Sequence, residues 1–185
     1  MKRLVTLAAL SVLALTGCAA APPPAFPDEV STPTATEAPA VSAFDEPCSV
    51  VQRSELNDIV GVTFGDGRVI TWTVTSSDIV WSPSRCVWGT GDGLELTIDF
   101  ADAAAFEGGE LQCVRPARFE DEITEIPGLG DQAFWVISDL FGVDGELRIC
   151  TSDALIDIII ETEAGDPDVL HGQATELAGL ILDRY

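Results

Sequence analysis

Between residues 69 and 162 apolar and polar positions alternate in short runs, the period-two signature of strands with one face buried. Val69 to Val74 puts Ile70, Trp72 and Val74 on one side and mostly threonines on the other. Arg85 to Thr90 carries Cys86 and Trp88 on one face. In the next run Leu94, Leu96, Ile98 and Phe100 alternate with Glu95, Thr97 and Asp99, the cleanest half-buried strand of the chain. Ala133 to Ile137, Glu146 to Thr151 and Leu155 to Thr162 predict three more, the last with Ile156, Ile158 and Ile160 facing one way.

Helical spacing brackets these runs. Ser54 to Val60 predicts a short helix with Ser54 as N-cap and Gly61 as stop. At the other end Asp166 caps and Pro167 takes the first helical position, and the helix runs to about Asp183. Val169, Leu170, Gln173, Ala174, Leu177, Ala178 and Ile181 form its apolar stripe. Ala101 to Phe106 reads as a helical turn halted by Gly108-Gly109, and the polar segment from Arg115 to Glu125 as loop. Strands so closely spaced, without helices between them, pair antiparallel. The expected fold is therefore α+β: a mainly antiparallel sheet of about six strands, with the short N-terminal helix and the C-terminal helix on one face.

The N-terminus follows a different pattern. Lys2 and Arg3 precede an apolar run from Leu4 to Leu15, which ends in Thr16-Gly17-Cys18 rather than in an Ala-x-Ala site. The run is well short of the ~20 residues a bilayer span needs and lacks basic stop-transfer residues. It reads as a lipoprotein signal, residues 1–17, with Cys18 taking a diacylglycerol thioether and becoming the new N-terminus. Each buried acyl methylene then contributes ~0.8 kcal/mol to membrane attachment. Residues 18–44 are rich in Pro, Ala and Thr and lack periodic apolar positions, so they are expected to be a disordered tether. In extended polyproline form its upper reach is roughly 80 Å. Residues 45–185 then form a single domain, expected to be monomeric.

Charge narrows the partners. The full chain carries a formal net charge of −22, and loss of Lys2 and Arg3 makes it more negative and leaves no lysine. Such a surface is repelled by nucleic acid and by anionic lipid headgroups, so nucleic-acid binding is set aside. Of five cysteines one goes to lipid, leaving Cys48, Cys86, Cys113 and Cys150 in an oxidising compartment. Four cysteines allow three pairings. Cys48 with Cys86 and Cys113 with Cys150 is favoured, because each bridge then staples one half of the sheet. Zinc is disfavoured by spacings of tens of residues with no Cys-x-x-Cys.

Three motifs carry a resemblance. Glu46-Pro47-Cys48-Ser49-Val50-Val51 precedes a short helix ending at Gly61; Cys86-Val87-Trp88 opens a strand; Ile126-Pro127-Gly128-Leu129-Gly130-Asp131-Gln132-Ala133 leads into another. In this order, behind a lipobox and a Pro-rich tether, they resemble the actinobacterial lipoproteins grouped as domain of unknown function 3558, over the whole of Asp45 to Tyr185. The resemblance implies a Cys48–Cys86 bridge and a cell-envelope location, and carries no activity, cofactor or catalytic residue. The second cysteine pair departs from the minimal family pattern and leaves Cys113–Cys150 to subtraction.

Catalytic signatures are sparse. His171 is the only histidine, beside Gly172 at the flank of the last helix's stripe, and no Gly-x-Ser-x-Gly elbow presents a nucleophile. Glu120-Asp121-Glu122 reads as a solvated loop. Asp66-Gly67, Asp92-Gly93 and Asp144-Gly145 read as turns, none continuing into a calcium loop. Gly128-Leu129-Gly130-Asp131 precedes a strand and lacks the lysine of a phosphate loop, so it too reads as a tight turn. Trp88 is expected on the Cys86 bridge and Trp72 and Trp135 on or near the sheet. Trp81, in a loop beside Ser82-Pro83, is the best candidate for an exposed contact, with Arg115 and Arg118 as further partner contacts. The expected function is a non-catalytic binding or carrier module without cofactor, metal or catalytic residues, taking an apolar ligand or an envelope partner. A structural or accessory lipoprotein tethered for protein interaction is the alternative, and a hydrolase the remote one.

Overall fold

The computed structural model describes residues 43–116, 123–139 and 142–185. The signal segment, Cys18, nearly all of the tether, Arg118 and Glu120-Asp121-Glu122 lie outside the described residues. After a 3-10 turn at Pro47–Ser49 comes helix α1 (Arg53–Val60), then strands β1 (Arg68–Thr71), β2 (Val74–Ser76), β3 (Ile79–Trp81), β4 (Ser84–Gly89) and β5 (Glu95–Ala101). A second 3-10 turn (Ala103–Ala105) precedes β6 (Ile123–Glu125), β7 (Gln132–Ser138), β8 (Val143–Cys150), β9 (Leu155–Thr162) and helix α2 (Pro167–Leu182). Seven strands form one antiparallel sheet in the order β1-β4-β5-β9-β8-β7-β6, and β2 and β3 form a separate hairpin. The architecture is the α+β one that alternation predicts. Strand β9, late in the chain, sits at the centre and joins the β4–β5 half to the β7–β8 half.

One face of the sheet is apolar and takes both helices. Leu96, Ile98 and Phe100 of β5, Ile156, Ile158 and Ile160 of β9 and Leu147 and Ile149 of β8 pack against Leu56, Leu170, Ala174, Leu177, Ala178 and Ile181. Full burial of one such Leu or Ile side chain contributes about 1.5–3 kcal/mol, so this face supplies most of the driving force. α1 begins two residues earlier than an N-cap at Ser54 would place it. Gln52, not Ser54, is its N-cap, because the Glu55 carboxylate turns back to accept from the Gln52 N–H at 2.9 Å. It stops at Gly61, whose φ is 78°. Asp166 and Pro167 open α2 as predicted, Asp166 accepting from the Asp168 N–H at 3.0 Å. Val169 leaves the predicted stripe and is exposed.

Both disulfides are closed, Cys48–Cys86 with a Cα separation of 5.1 Å and Cys113–Cys150 with 5.6 Å. Each bridges to a strand of a different half of the sheet, β4 and β8, the arrangement for which the pairing was favoured. They indicate an oxidising, extracytoplasmic location. Among the described residues no helix is long and apolar enough to cross a membrane.

Three local expectations fail for physical reasons. The run Val69 to Val74 is not one strand: the chain leaves the sheet after Thr71 and forms the β2–β3 hairpin, turning through Ser77 and Asp78 at φ 51° and 69°. The polar segment ending at Glu125 contains edge strand β6, paired with Phe134 to Val136 of β7. Asp144-Gly145 is not a turn but part of β8. Gly145 is needed there because a Cβ would come within 2.4 Å of the Trp135 ring lying across it.

Candidate functional site

The second face of the sheet was expected to meet water, yet β5 is buried on both sides. Arg85 of β4, Asp99 of β5, Asp157 of β9 and Arg148 of β8 are directly opposite one another in register. They form a row of charge, positive, negative, negative, positive, across four adjacent strands. Arg85 donates to both Asp99 oxygens at 2.6 and 2.5 Å, and Arg148 to both Asp157 oxygens at 2.7 and 2.8 Å. Arg148 also meets Glu146 at 3.1 Å and donates to the Val114 carbonyl at 2.9 Å. Asp99 and Asp157 are each only 3% exposed. Bidentate guanidinium–carboxylate pairs fix geometry as well as charge, so the row clamps the middle of the sheet.

Two tryptophans flank the row. The Trp72 ring lies 4.9 Å from the Arg85 guanidinium and the Trp81 ring 5.5 Å from that of Arg148. The β2–β3 hairpin joins them, its base closed by the Val74–Trp81 pair and by Thr73 Oγ1 at 3.0 Å from Ser82 Oγ. Trp81 stacks on Phe106 at 5.8 Å and belongs to a small second core with Val114, Phe134 and Leu155. This corrects the expectation for Trp81, which is 1% exposed. Ser82-Pro83 is the return from the hairpin into β4 and not a loop tip, and Ser82 N–H is held by the Ala105 carbonyl at 2.9 Å, so the indole turns inward. The exposed indole is Trp72, at 49%.

The remaining candidates are dispersed. Arg115 is exposed and rests 5.8 Å from the Phe134 ring, at the far end of the same register row. His171 is half-buried on α2, 5.0 Å from the Trp135 ring, on the opposite face of the sheet. Gly128-Leu129-Gly130-Asp131 is the tight turn expected. It is seated on β8 through the Asp131 N–H and the Cys150 carbonyl at 2.8 Å, where a Cβ on Gly130 would come within 2.5 Å of that oxygen. It lines an open depression of about 430 Å³ between Glu125 and Phe134. Among the described residues no three His, Cys, Asp or Glu side chains are grouped to hold a metal ion.

No protein-family model, curated protein or solved structure matches this chain. The reading of the site therefore rests on its own chemistry. That chemistry divides into a buried clamp and an accessible edge. The clamp is closed by its own partners. The edge is β1, which with β6 is one of the two outer strands of the sheet; there Val69 is 65% exposed and Trp72 follows the end of the strand.

Burial strains the clamp at one point. Asp99 faces Arg85 on β4, Asp157 on β9 and, further along, Arg148 on β8. Loss of solvent pushes its carboxyl up from the ordinary 3.8 to about 6; the Arg85 hydrogen bonds oppose the shift and the Asp157 charge adds to it. A carboxyl raised by folding binds its proton more tightly in the native state. Its stabilising contribution is full below pH 3.8 and is lost as pH rises through about 6. Thermal unfolding is therefore expected to show a higher midpoint at pH 5 than at pH 7.5. Asp99→Asn should flatten that difference while leaving the general charge repulsion of the chain in place; equal pH slopes for both proteins would refute the assignment.

Proposed function

We propose that this chain is a lipid-anchored protein of the cell envelope whose folded domain is a non-catalytic binding module, meeting an envelope partner on the surface around β1. The observation that carries the reading is an open sheet edge with a large exposed apolar side chain on each of its two faces, Val69 on one and Trp72 on the other. Single exposed apolar residues are ordinary, but exposed apolar side chains along an unpaired edge strand mark a contact surface. The lipobox at Cys18, the Pro-rich tether, the disulfides and the resemblance to envelope lipoproteins support the address. A protein partner is favoured over an apolar ligand held between helices and sheet, because that interface is filled by side chains from Leu56 to Ile181.

One experiment in an actinobacterial host tests both halves. The full chain should enter the detergent phase on phase partitioning, and Cys18→Ala should move it to the aqueous phase. A photo-reactive residue at position 72 should give a discrete adduct with an envelope protein, whereas one at Val169, equally apolar and exposed on α2, should not. Aqueous partitioning of the wild-type chain would overturn the anchor. Equal adducts at both positions, or none at either, would overturn the contact surface.

A further inference from the structure

We infer that the partner binds as an extended segment that adds to β1 as a further strand, with a carboxylate set against Arg68. This rests on the reading of the β1 surface as the contact site and specifies what occupies it. β1 has β4 as its sheet neighbour on one side; on the other, no backbone hydrogen bond joins it to another described residue. Such a row of free N–H and C=O groups is satisfied by an extended chain, the mode of recognition called strand addition.

The side chains define which chain. Ile70 lies opposite Arg85 in the register, and alternation puts Arg68, Ile70 and Trp72 on that face of the sheet and Val69 with Thr71 on the other. The arginines supply the charge argument. Arg53 pairs with Asp66, Arg85 with Asp99, Arg148 with Asp157 and Glu146, and Arg184 with Glu55. Arg68, exposed on the edge strand, has no carboxylate partner among the described residues, although the chain holds 31 acidic residues against nine basic ones. An incoming carboxylate would complete it. An apolar side chain four positions along the segment, on the same face, would lie against Trp72, and a residue between them in sequence would reach Val69 on the other face. A second copy of this chain suits the edge poorly, since each carries a formal charge of −22.

The test uses the full chain in detergent micelles and three synthetic octapeptides. The first alternates valine and threonine, with one glutamate and, four positions on, one leucine; the second replaces the glutamate by lysine; the third places proline at alternate positions. The acidic peptide is expected to bind about tenfold more tightly than the lysine peptide, to slow amide exchange in Arg68–Thr71, and to lose its advantage in Arg68→Glu, which should prefer lysine. The proline peptide, unable to donate to the ladder, should not bind. Binding without slowed exchange at β1, binding of the proline peptide, or a charge preference unmoved by Arg68→Glu would overturn strand addition. If the peptides fail while the position-72 adduct still forms in cells, the strand model falls and the binding module stands; if the adduct also fails, both fall.

Discussion

Replacing Arg148 by methionine is expected to destabilise the domain by about 3–5 kcal/mol, the range for removing one partner of a buried ion pair. Among the described residues Arg148 is the sole guanidinium bonded to Asp157, and it also holds Glu146 and the Val114 carbonyl. Methionine preserves much of the volume beneath Trp81, so the cost is electrostatic rather than a cavity. Asp157 and Glu146, both nearly inaccessible to water, would be left charged in a poor solvent for charge. The midpoint of urea unfolding should fall sharply at pH 7. Arg85→Met should cost less, because Arg85 is more open to solvent and Asp99, already raised to about 6, protonates readily. A loss below about 1 kcal/mol at pH 7 for Arg148→Met would show that the row is not a buried ion pair in solution.

The second large effect lies in the disulfides, and the two should differ. In the chain-entropy model each loop, with separations of 38 and 37 residues, contributes roughly 3–4 kcal/mol. Cys86 is fully buried in the helix-side core beside Trp88, whereas Cys113 is exposed. Mild reductant should therefore open Cys113–Cys150 first, and Cys48–Cys86 should survive until global unfolding. Removing Cys48–Cys86 as a pair of alanines should lower the calorimetric midpoint more than removing Cys113–Cys150, since packing is lost along with the crosslink. Stepwise alkylation read by mass would reveal the order; simultaneous opening of both would contradict it.

Alternation along the chain made the sheet legible. It placed β4, β5, β7, β8 and β9 within a few residues, because each puts a strict apolar row on the helix side. Cysteine parity and position led to the observed bridges. What sequence spacing could not convey was register. Arg85, Asp99, Arg148 and Asp157 each occupy a polar-face position that is unremarkable in its own strand; only the pairing of β9 between β5 and β8 brings them into line. A hint was present in the scarcity of basic residues, two of which sit in mid-strand where a solvated face would not need them. Trp81 was misplaced for a related reason: the hairpin that turns it inward depends on Ser77 and Asp78 adopting positive φ, which no Gly announces. Trp72, expected on or near the sheet, lies just past β1 beside Arg85, and its exposure follows from the break after Thr71.

The central place of β9 bears on when the domain can form. Residues 155–162 form the last of the described strands in chain order, yet both halves of the sheet are completed only by pairing with them. A sheet closed by distant segments folds slowly, because the intervening loop must be ordered before its contacts are gained. Until β9 is present, the β4–β5 pair and the β7–β8 pair have no strand between them, and neither half can close into the finished sheet.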